Sequence, residues 1–229
     1  MNALLRLAAT ALALAAAPAL AIGFADLSSK DTTAALTETL TKGSQVAVDM
    51  LARQDGFLGN ERVRISLPES LRKVEGLMRG LGMGKYADEL VTTMNRAAET
   101  AVVEAKPLLV NAVRNMNVQD AKGILTGGED AATQYFKRST LAALSDKFLP
   151  IVKKATQKVK LADMYNEFAG KGAKFGLVDQ KDADLNNYVT QKALDGLFLI
   201  IAEEEKKIRR DPLGSASNLI SKVFGAIGK

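Results

Sequence analysis

The amino-acid sequence predicts an all-α protein, a single multi-helix bundle packed around one central apolar helix. Three observations lead to this prediction. Alanine, leucine and lysine are the commonest residues, and all three have high helix propensity. Apolar residues recur every three or four positions rather than every two, which is the spacing of a helix face. Runs of β-branched residues are scarce, so the sequence offers little material for strands.

The N-terminus has the pattern of a cleavable secretory signal peptide over residues 1–21. One basic residue, Arg6, precedes an apolar stretch over residues 7–17, and a small-residue site ends at Ala21. The stretch is shorter than the roughly 20 apolar residues that a membrane-spanning helix needs. We therefore expect cleavage after Ala21, with no cysteine nearby to accept a lipid. The mature chain, residues 22–229, should be a single helical domain, soluble in the periplasm or outside the cell.

The first helix is expected over residues 31–53, where Asp31 or Thr32 can cap the exposed amides. Residues 54–68 then interrupt the helical pattern. Within them, apolar side chains occupy every second position from 63 to 67. Because a period of two is typical of a strand, and Gly59 with Asn60 can turn the chain, a short β-hairpin is predicted near residues 57–67. It would be the only strand material in the protein.

Glycine, proline and capping residues divide the next part of the chain into further helices. These are predicted over residues 68–80, 85–116, 117–125, 129–159 and 161–175. Pro107 and Pro150 should bend two of them, because proline lacks an amide donor and crowds the preceding turn. Glu129 and Asp130 place negative charge at the start of the fourth of these helices, which favours it through the helix dipole.

The most apolar segment lies within a helix predicted over residues 182–210. Residues 197–201 (LFLII) leave it no polar side, and a helix that is apolar all round is buried. We therefore expect the other helices to surround it.

A last, amphipathic helix is predicted over residues 212–225. Its apolar residues include Leu219, Ile220, Val223 and Phe224. Two interpretations are open for this end of the chain: it docks on the protein's own core, or it contacts a membrane surface.

The composition excludes several kinds of chemistry. The chain contains no histidine and no cysteine, so it cannot build a Ser-His-Asp or Cys-His catalytic site, a thiol redox centre or a usual zinc site. We expect no cofactor and no metal. Its 31 basic and 26 acidic residues are interleaved, unlike the basic patch of a nucleic-acid-binding protein. A pair of carboxylates remains available for acid–base work.

Two groups of polar residues are candidates for a buried network or a pocket. The first lies in the acidic run 203–205, because the apolar stripe of its helix, continued toward Ile208, passes through Glu204 or Glu205. One of these carboxylates should face inward and require a partner. Arg209 is placed to pair with Glu205 one turn later.

The second group consists of Asn95, Arg96 and Glu99, on or beside the apolar stripe of the helix over residues 85–116. These side chains could supply the partner that the inward glutamate needs. Three interpretations stay open for the combined set: a buried polar network that fixes helix register, the lining of a ligand or metal pocket, and catalysis.

Several motifs make the chain similar to a known bacterial family. They are MNRAAE at 94–99, ILTGG at 124–128, AATQYF at 131–136, FLPIV at 148–152, YVT at 188–190, DGLF at 195–198, EE at 204–205, IR at 208–209, DP at 211–212 and VFG at 223–225. On these motifs the chain resembles the family named domain of unknown function 4197 over most of its mature length. The resemblance implies an exported helical envelope protein, and it implies no activity. Many relatives carry a cysteine after the signal, which this chain lacks, so membrane tethering is not expected.

Together these observations favour a non-catalytic binding or structural module of the cell envelope, with an apolar or amphipathic small molecule or an envelope component as its partner. The alternative is a hydrolase acting on cell-wall glycan, with Glu99 and either Glu204 or Glu205 as acid and base. Such a pair should lie roughly 5–10 Å apart in an open cleft. A third option is a partner-binding scaffold that uses the C-terminal end.

Overall fold

The computed structural model describes residues 29–174 and 183–211. Within these ranges the chain is helical apart from its connecting loops, and no strand occurs. The all-α prediction is therefore confirmed for this part of the chain. The predicted signal peptide over residues 1–21 and the predicted C-terminal helix over residues 212–225 lie outside the described residues.

The helices follow the predicted order closely. They are α1 (Ser29–Ala52), α2 (Glu69–Gly80), α3 (Gly84–Ala101), α4 (Ala105–Arg114), α5 (Val118–Thr126), α6 (Ala131–Thr156), α7 (Lys160–Lys174) and α8 (Leu185–Arg210). A 3₁₀ turn, Val102–Glu104, joins α3 to α4. None of the described helices has both the length and the apolar character needed to cross a membrane.

The predicted bend near Pro107 takes the form of this 3₁₀ turn. Helix α4 begins at Ala105, two residues before the proline. The proline ring crowds the carbonyl four residues earlier, that of Val103, so the chain changes helix type one turn before it. By contrast, α6 runs through Pro150 without a break and ends at Thr156.

Helix α8 packs against α1, α3, α6 and α7, but the prediction that other helices surround it is not confirmed. Lys192 and Asp195 are exposed, and 41% of the Leu199 surface is accessible. These three positions recur at helical spacing and therefore lie on one side of the helix. We call them the open stripe of α8. An apolar run in the sequence does not require every member to be buried, and Leu199 is the exception.

The loop between α1 and α2 has no strand, so the hairpin predicted near residues 57–67 is wrong. The alternation behind that prediction is nevertheless real. Val63, Ile65 and Leu67 are buried, and the side chains between them are exposed. Residues 62–67, here called the extended segment, begin at the end of a turn that includes Arg62 and Val63, and their apolar side lies against the core. No second strand pairs with them; instead, side chains of α3 and α8 bond their backbone.

The first part of this loop inserts into the core. Phe57 is completely buried, and the turn that places it there needs two special backbone positions. A Cβ atom on Gly56 would lie 2.3 Å from the carbonyl oxygen of Leu51, so only glycine fits. Asp55 has a φ of 64°, a left-handed conformation that aspartate tolerates better than most residues. The chain therefore leaves α1 sharply and turns back toward α3.

Candidate functional site

Asn95 of α3 binds the backbone of the extended segment. The Asn95 side chain is fully buried. Its Oδ1 accepts a hydrogen bond from the amide of Ile65, and its Nδ2 donates to the carbonyl of the same residue, both at 2.8 Å. Nδ2 also donates to the carbonyl of Val91 at 2.8 Å. The side-chain amide thus takes the place of a neighbouring strand, because it satisfies both backbone groups of one residue.

Glu99, one turn after Asn95, holds the part of the loop that carries Phe57. It is 5% exposed. Its Oε1 accepts hydrogen bonds from the amides of Phe57 and Leu58, each at 3.1 Å. Its Oε2 accepts from Nη1 of Arg96 at 2.6 Å. The charge of this buried carboxylate is therefore balanced by one guanidinium and two backbone donors.

Arg96 links Glu99 to Asp55, a residue that the sequence analysis missed. Its Nη2 lies 2.8 Å from Oδ1 of Asp55. The hydrogen bonds to Glu99 and then to Asp55 raise the pKa of Arg96 above its ordinary value, so the guanidinium stays charged. Asp55 can be recognised only from its place at the turn, since an exposed aspartate after a helix carries no other signal.

Glu205 of α8 caps the first turn of α6. That helix begins at Ala131, and its N-cap residue, Asp130, makes no side-chain capping hydrogen bond. Instead, Oε1 of Glu205 accepts from the amide of Ala132 at 2.9 Å. Oε2 accepts from the amide of Thr133 at 2.9 Å and from its hydroxyl at 2.8 Å. A negative charge at the amide end of a helix is stabilising, so Glu205 serves as a cap from a distant element.

Arg209 extends this network to the end of α5. Its Nε and Nη2 donate to Oε1 of Glu205 at 3.1 and 2.8 Å. Nη2 also donates at 2.8 Å to the carbonyl of Ile124, which lies in the last turn of α5, where carbonyls lack helical partners. Only 15% of the Arg209 side chain is exposed. Glu205 thus caps the N-terminus of α6, and Arg209 caps the C-terminus of α5.

Of the two glutamates predicted to include an inward one, Glu205 is buried, whereas Glu204 is intermediate, with 13% of its side chain exposed. Nζ of Lys207 lies 2.7 Å from Oε1 of Glu204 at the surface. Glu203 pairs with Arg62 of the extended segment. The acidic run thus divides into one buried cap and two surface ion pairs.

The expectation that Asn95, Arg96 and Glu99 partner the inward glutamate is wrong. These three side chains bind the loop after α1, whereas Glu205 and Arg209 bind the ends of α6 and α5. Each set is complete without the other because backbone amides and carbonyls supply the missing partners. The six candidate residues therefore form two separate networks plus Glu204, which pairs with Lys207 instead.

Glu129 and Asp130 lie at the start of α6 as predicted, but neither bonds the first-turn amides. Glu129 pairs with Lys206, whose Nζ lies 2.7 Å from its Oε2. This hydrogen bond lowers the pKa of Glu129. Asp130 accepts from the side chain of Gln134 at 2.9 Å. The carboxylate that bonds the first-turn amides is that of Glu205, contributed by α8.

The space beside Glu205 and Arg209 is small and apolar. A cavity of about 20 Å³ lies between α1, α5, α6 and α8. Leu40, Phe136 and Ile208 contribute to its lining. About one water molecule fits in such a volume. Glu205 lines this cavity, which is too small to admit a substrate. The described residues contain no group of three acidic side chains that could hold a metal ion.

Comparisons with known proteins identify the family and no closer relative. No curated protein and no solved structure matches the chain. The family model described as protein of unknown function (DUF4197) matches residues 26–225, which is nearly the whole chain. The predicted resemblance is thereby confirmed, and the chain belongs to the DUF4197 family.

Proposed function

We propose that the chain is a non-catalytic binding or structural module of the cell envelope. The observation that carries this proposal is how the two buried carboxylates use their oxygens. Glu99 accepts two backbone amides and one guanidinium. Glu205 accepts two backbone amides, a hydroxyl and Arg209. A carboxylate can accept about four hydrogen bonds, so Glu205 is saturated by its five contacts, and Glu99 fills three of its four positions. Carboxylates bound in this way by fixed internal donors hold elements together and are poorly placed to take a proton from a substrate.

The hydrolase alternative receives no support from these residues. A glycosidase needs two carboxylates that face one open cleft about 5–10 Å apart. Glu99 and Glu205 are 5% and 8% exposed, and each belongs to a different network. Glu204 is nearer the surface, but it is paired with Lys207 and has no second carboxylate as a partner in its own network.

Placement in the envelope is supported by the N-terminal sequence. Residues 1–21 have the order of a secretory signal, with a small-residue site before Ile22. Export also agrees with a chain that has no cysteine to oxidise. The partner expected for such a module is an apolar or amphipathic small molecule or another envelope component.

Two measurements test the proposal. The full chain with a C-terminal tag is expressed in a bacterial host, released by osmotic shock and weighed as an intact protein. We expect the periplasmic fraction to contain a species that begins at Ile22, and a control chain lacking residues 2–21 to stay in the cytoplasm. Full-length protein confined to the cytoplasm would contradict envelope placement. Native mass spectrometry of the exported protein then reports whether a small molecule co-purifies.

A further inference from the structure

A groove runs between the extended segment and the open stripe of α8. Arg64 and Ser66 lie on one wall, and Lys192 and Leu199 lie on the other. Its volume is about 310 Å³, at the lower end of the roughly 300–1,000 Å³ of small-molecule sites. The groove lies between the segment that was predicted to form a hairpin and the stripe of α8 that the other helices leave exposed. Two places where the fold differs from the prediction therefore adjoin each other.

The base of the groove is held in place by specific contacts. Gly196 lies beneath it, and a Cβ atom there would approach Cε1 of Phe57 to 2.8 Å and Cβ of Val63 to 3.2 Å. The hydroxyl of Tyr188 donates to the carbonyl of Ser66 at 3.0 Å. These contacts fix the distance between the two walls, so the groove is preformed.

Two cations that line the groove form no ion pair with any residue that the structure describes. Within residues 29–174 and 183–211, neither the guanidinium of Arg64 nor the ammonium of Lys192 forms an ion pair. Lys192 only lies over the ring of Tyr188, with Nζ 5.7 Å from the ring centroid. The pKa of Asp88 is lowered mainly by its hydrogen bond from Arg79, and the positive charge of Arg64 adds a smaller effect without direct contact.

The other charged residues of the lining are already engaged. Arg62 is paired with Glu203. Asp195 accepts a hydrogen bond from Nε2 of Gln191 at 2.9 Å, and its negative charge offsets one of the two unpaired cations. The groove therefore carries one uncompensated positive charge, which matches a single anionic group.

An apolar surface lies at a fixed distance from this charge. Leu199 follows Lys192 by seven residues, which is about 10 Å along a helix. Its side chain is 41% exposed and lines the same groove. A ligand with an anionic head at Lys192 and an apolar chain over Leu199 would satisfy both features.

We infer that the groove between the extended segment and α8 binds a single-chain amphiphile with a monoanionic head group, such as a carboxylate. The head group lies between Arg64 and Lys192, and the chain covers Leu199. The size of the groove favours one acyl chain over the two of a membrane phospholipid. This inference rests on the proposed binding function and names the ligand class.

The test is calorimetric titration of the exported protein with decanoate below its micellar concentration. The double variant Arg64→Gln/Lys192→Gln should bind at least about fivefold more weakly than the wild type, because two partly exposed charge contacts are lost. The control Arg114→Gln/Lys153→Gln changes the net charge equally at exposed sites that do not line the groove, and it should bind like the wild type. Leu199→Asn should also weaken binding of decanoate. All these positions are exposed, and melting curves establish that each variant is folded.

Three results would overturn the inference, and each has a different consequence for the proposed binding function. If the groove double variant binds decanoate as tightly as the wild type, the ligand does not bind in this groove, but the proposed binding function is retained. If the wild type binds no decanoate and no molecule co-purifies with it, both proposals fail. If the wild type binds phosphatidylglycerol vesicles but no free decanoate, the surface recognises a membrane rather than a single-chain amphiphile.

Discussion

Helices α3 and α8 each bury one carboxylate, but the two carboxylates distribute their hydrogen bonds differently. Glu99 gathers both backbone amides, those of Phe57 and Leu58, on one oxygen. Glu205 accepts one backbone amide on each oxygen, from Ala132 and Thr133. The first holds an irregular loop and the second caps a helix. In both cases a distant side chain satisfies amides that have no local partner.

The difference shows which site is more sensitive to small chemical changes. An amide group that replaces a carboxylate keeps one acceptor oxygen and turns the other into a donor. At Glu99 the retained oxygen can still serve both backbone amides. At Glu205 either orientation places a donor against a backbone amide. The α8 network should therefore tolerate substitution less well than the α3 network.

The largest effect is expected for Glu205→Ala. The substitution leaves two amides of α6 without their acceptor and leaves Arg209 largely buried without its anion. Breaking such a pair costs about 3–5 kcal/mol, which lowers the melting temperature by about 6–20 °C in a chain of this size. Differential scanning calorimetry measures it. Glu129→Ala is the control, because it removes a carboxylate at the start of α6 that is 64% exposed, and it should change the melting temperature by no more than about 2 °C.

A smaller loss is expected for Asn95→Ala, which removes both hydrogen-bond partners of the Ile65 backbone. Each buried group left unpaired costs about 1–3 kcal/mol, with some recovery where water can enter, so we expect about 2–3 kcal/mol in urea unfolding. The amide of Ile65 should exchange with solvent much faster than in the wild type. Thr100→Ala, at an exposed position of the same helix, should leave both the stability and the exchange unchanged. Unaltered protection of Ile65 in the Asn95 variant would refute the strand-like role of this side chain.

The smallest effect concerns an exposed ion pair that links α2 to α3. The hydrogen bond from Arg79 holds the pKa of Asp88 below its ordinary value of 3.8. Because the folded pKa is the lower one, the pair stabilises the fold above about pH 4, and this contribution is lost as the pH falls through the lowered value. Asp88→Asn should melt slightly below the wild type at pH 7 and equal to it near pH 2.

Asp146→Asn, at another exposed aspartate, is the control for this pH series. It should melt like the wild type throughout. A gap between Asp88→Asn and the wild type that widens toward low pH would have the wrong sign for this ion pair.

The sequence indicated that some polar side chains face inward, but not what they contact. Asn95 shares the apolar stripe of its helix, and the stripe of α8 passes through Glu204 or Glu205, so helical periodicity predicted a buried asparagine and one buried carboxylate without deciding which glutamate it is. Their partners are mostly backbone amides, as at Phe57 and Ala132. Every residue except proline has such an amide, so no residue type marks the ones that need a distant acceptor.

The extended segment also shows that a local sequence pattern predicts burial but not the partner. The period of two from Val63 to Leu67 correctly predicted which side chains are buried. Whether a second strand pairs with them depends on elements far away in the sequence, and here Asn95 of α3 and Tyr188 of α8 occupy the two flanks. The local pattern therefore predicts which side chains of a segment are buried, whereas the elements that pack against the segment depend on contacts between residues far apart in the sequence.

We conclude that the two buried carboxylates stabilise the fold by binding distant backbone amides, and that they differ in how these bonds are divided between the two oxygens. The most direct test is urea unfolding of Glu205→Gln and Glu99→Gln side by side, since both variants keep the shape and remove one charge. The account predicts a loss of about 2–3 kcal/mol for Glu205→Gln and about 1 kcal/mol less for Glu99→Gln. Equal losses, the reverse order, or unchanged stability of Glu205→Gln would contradict it.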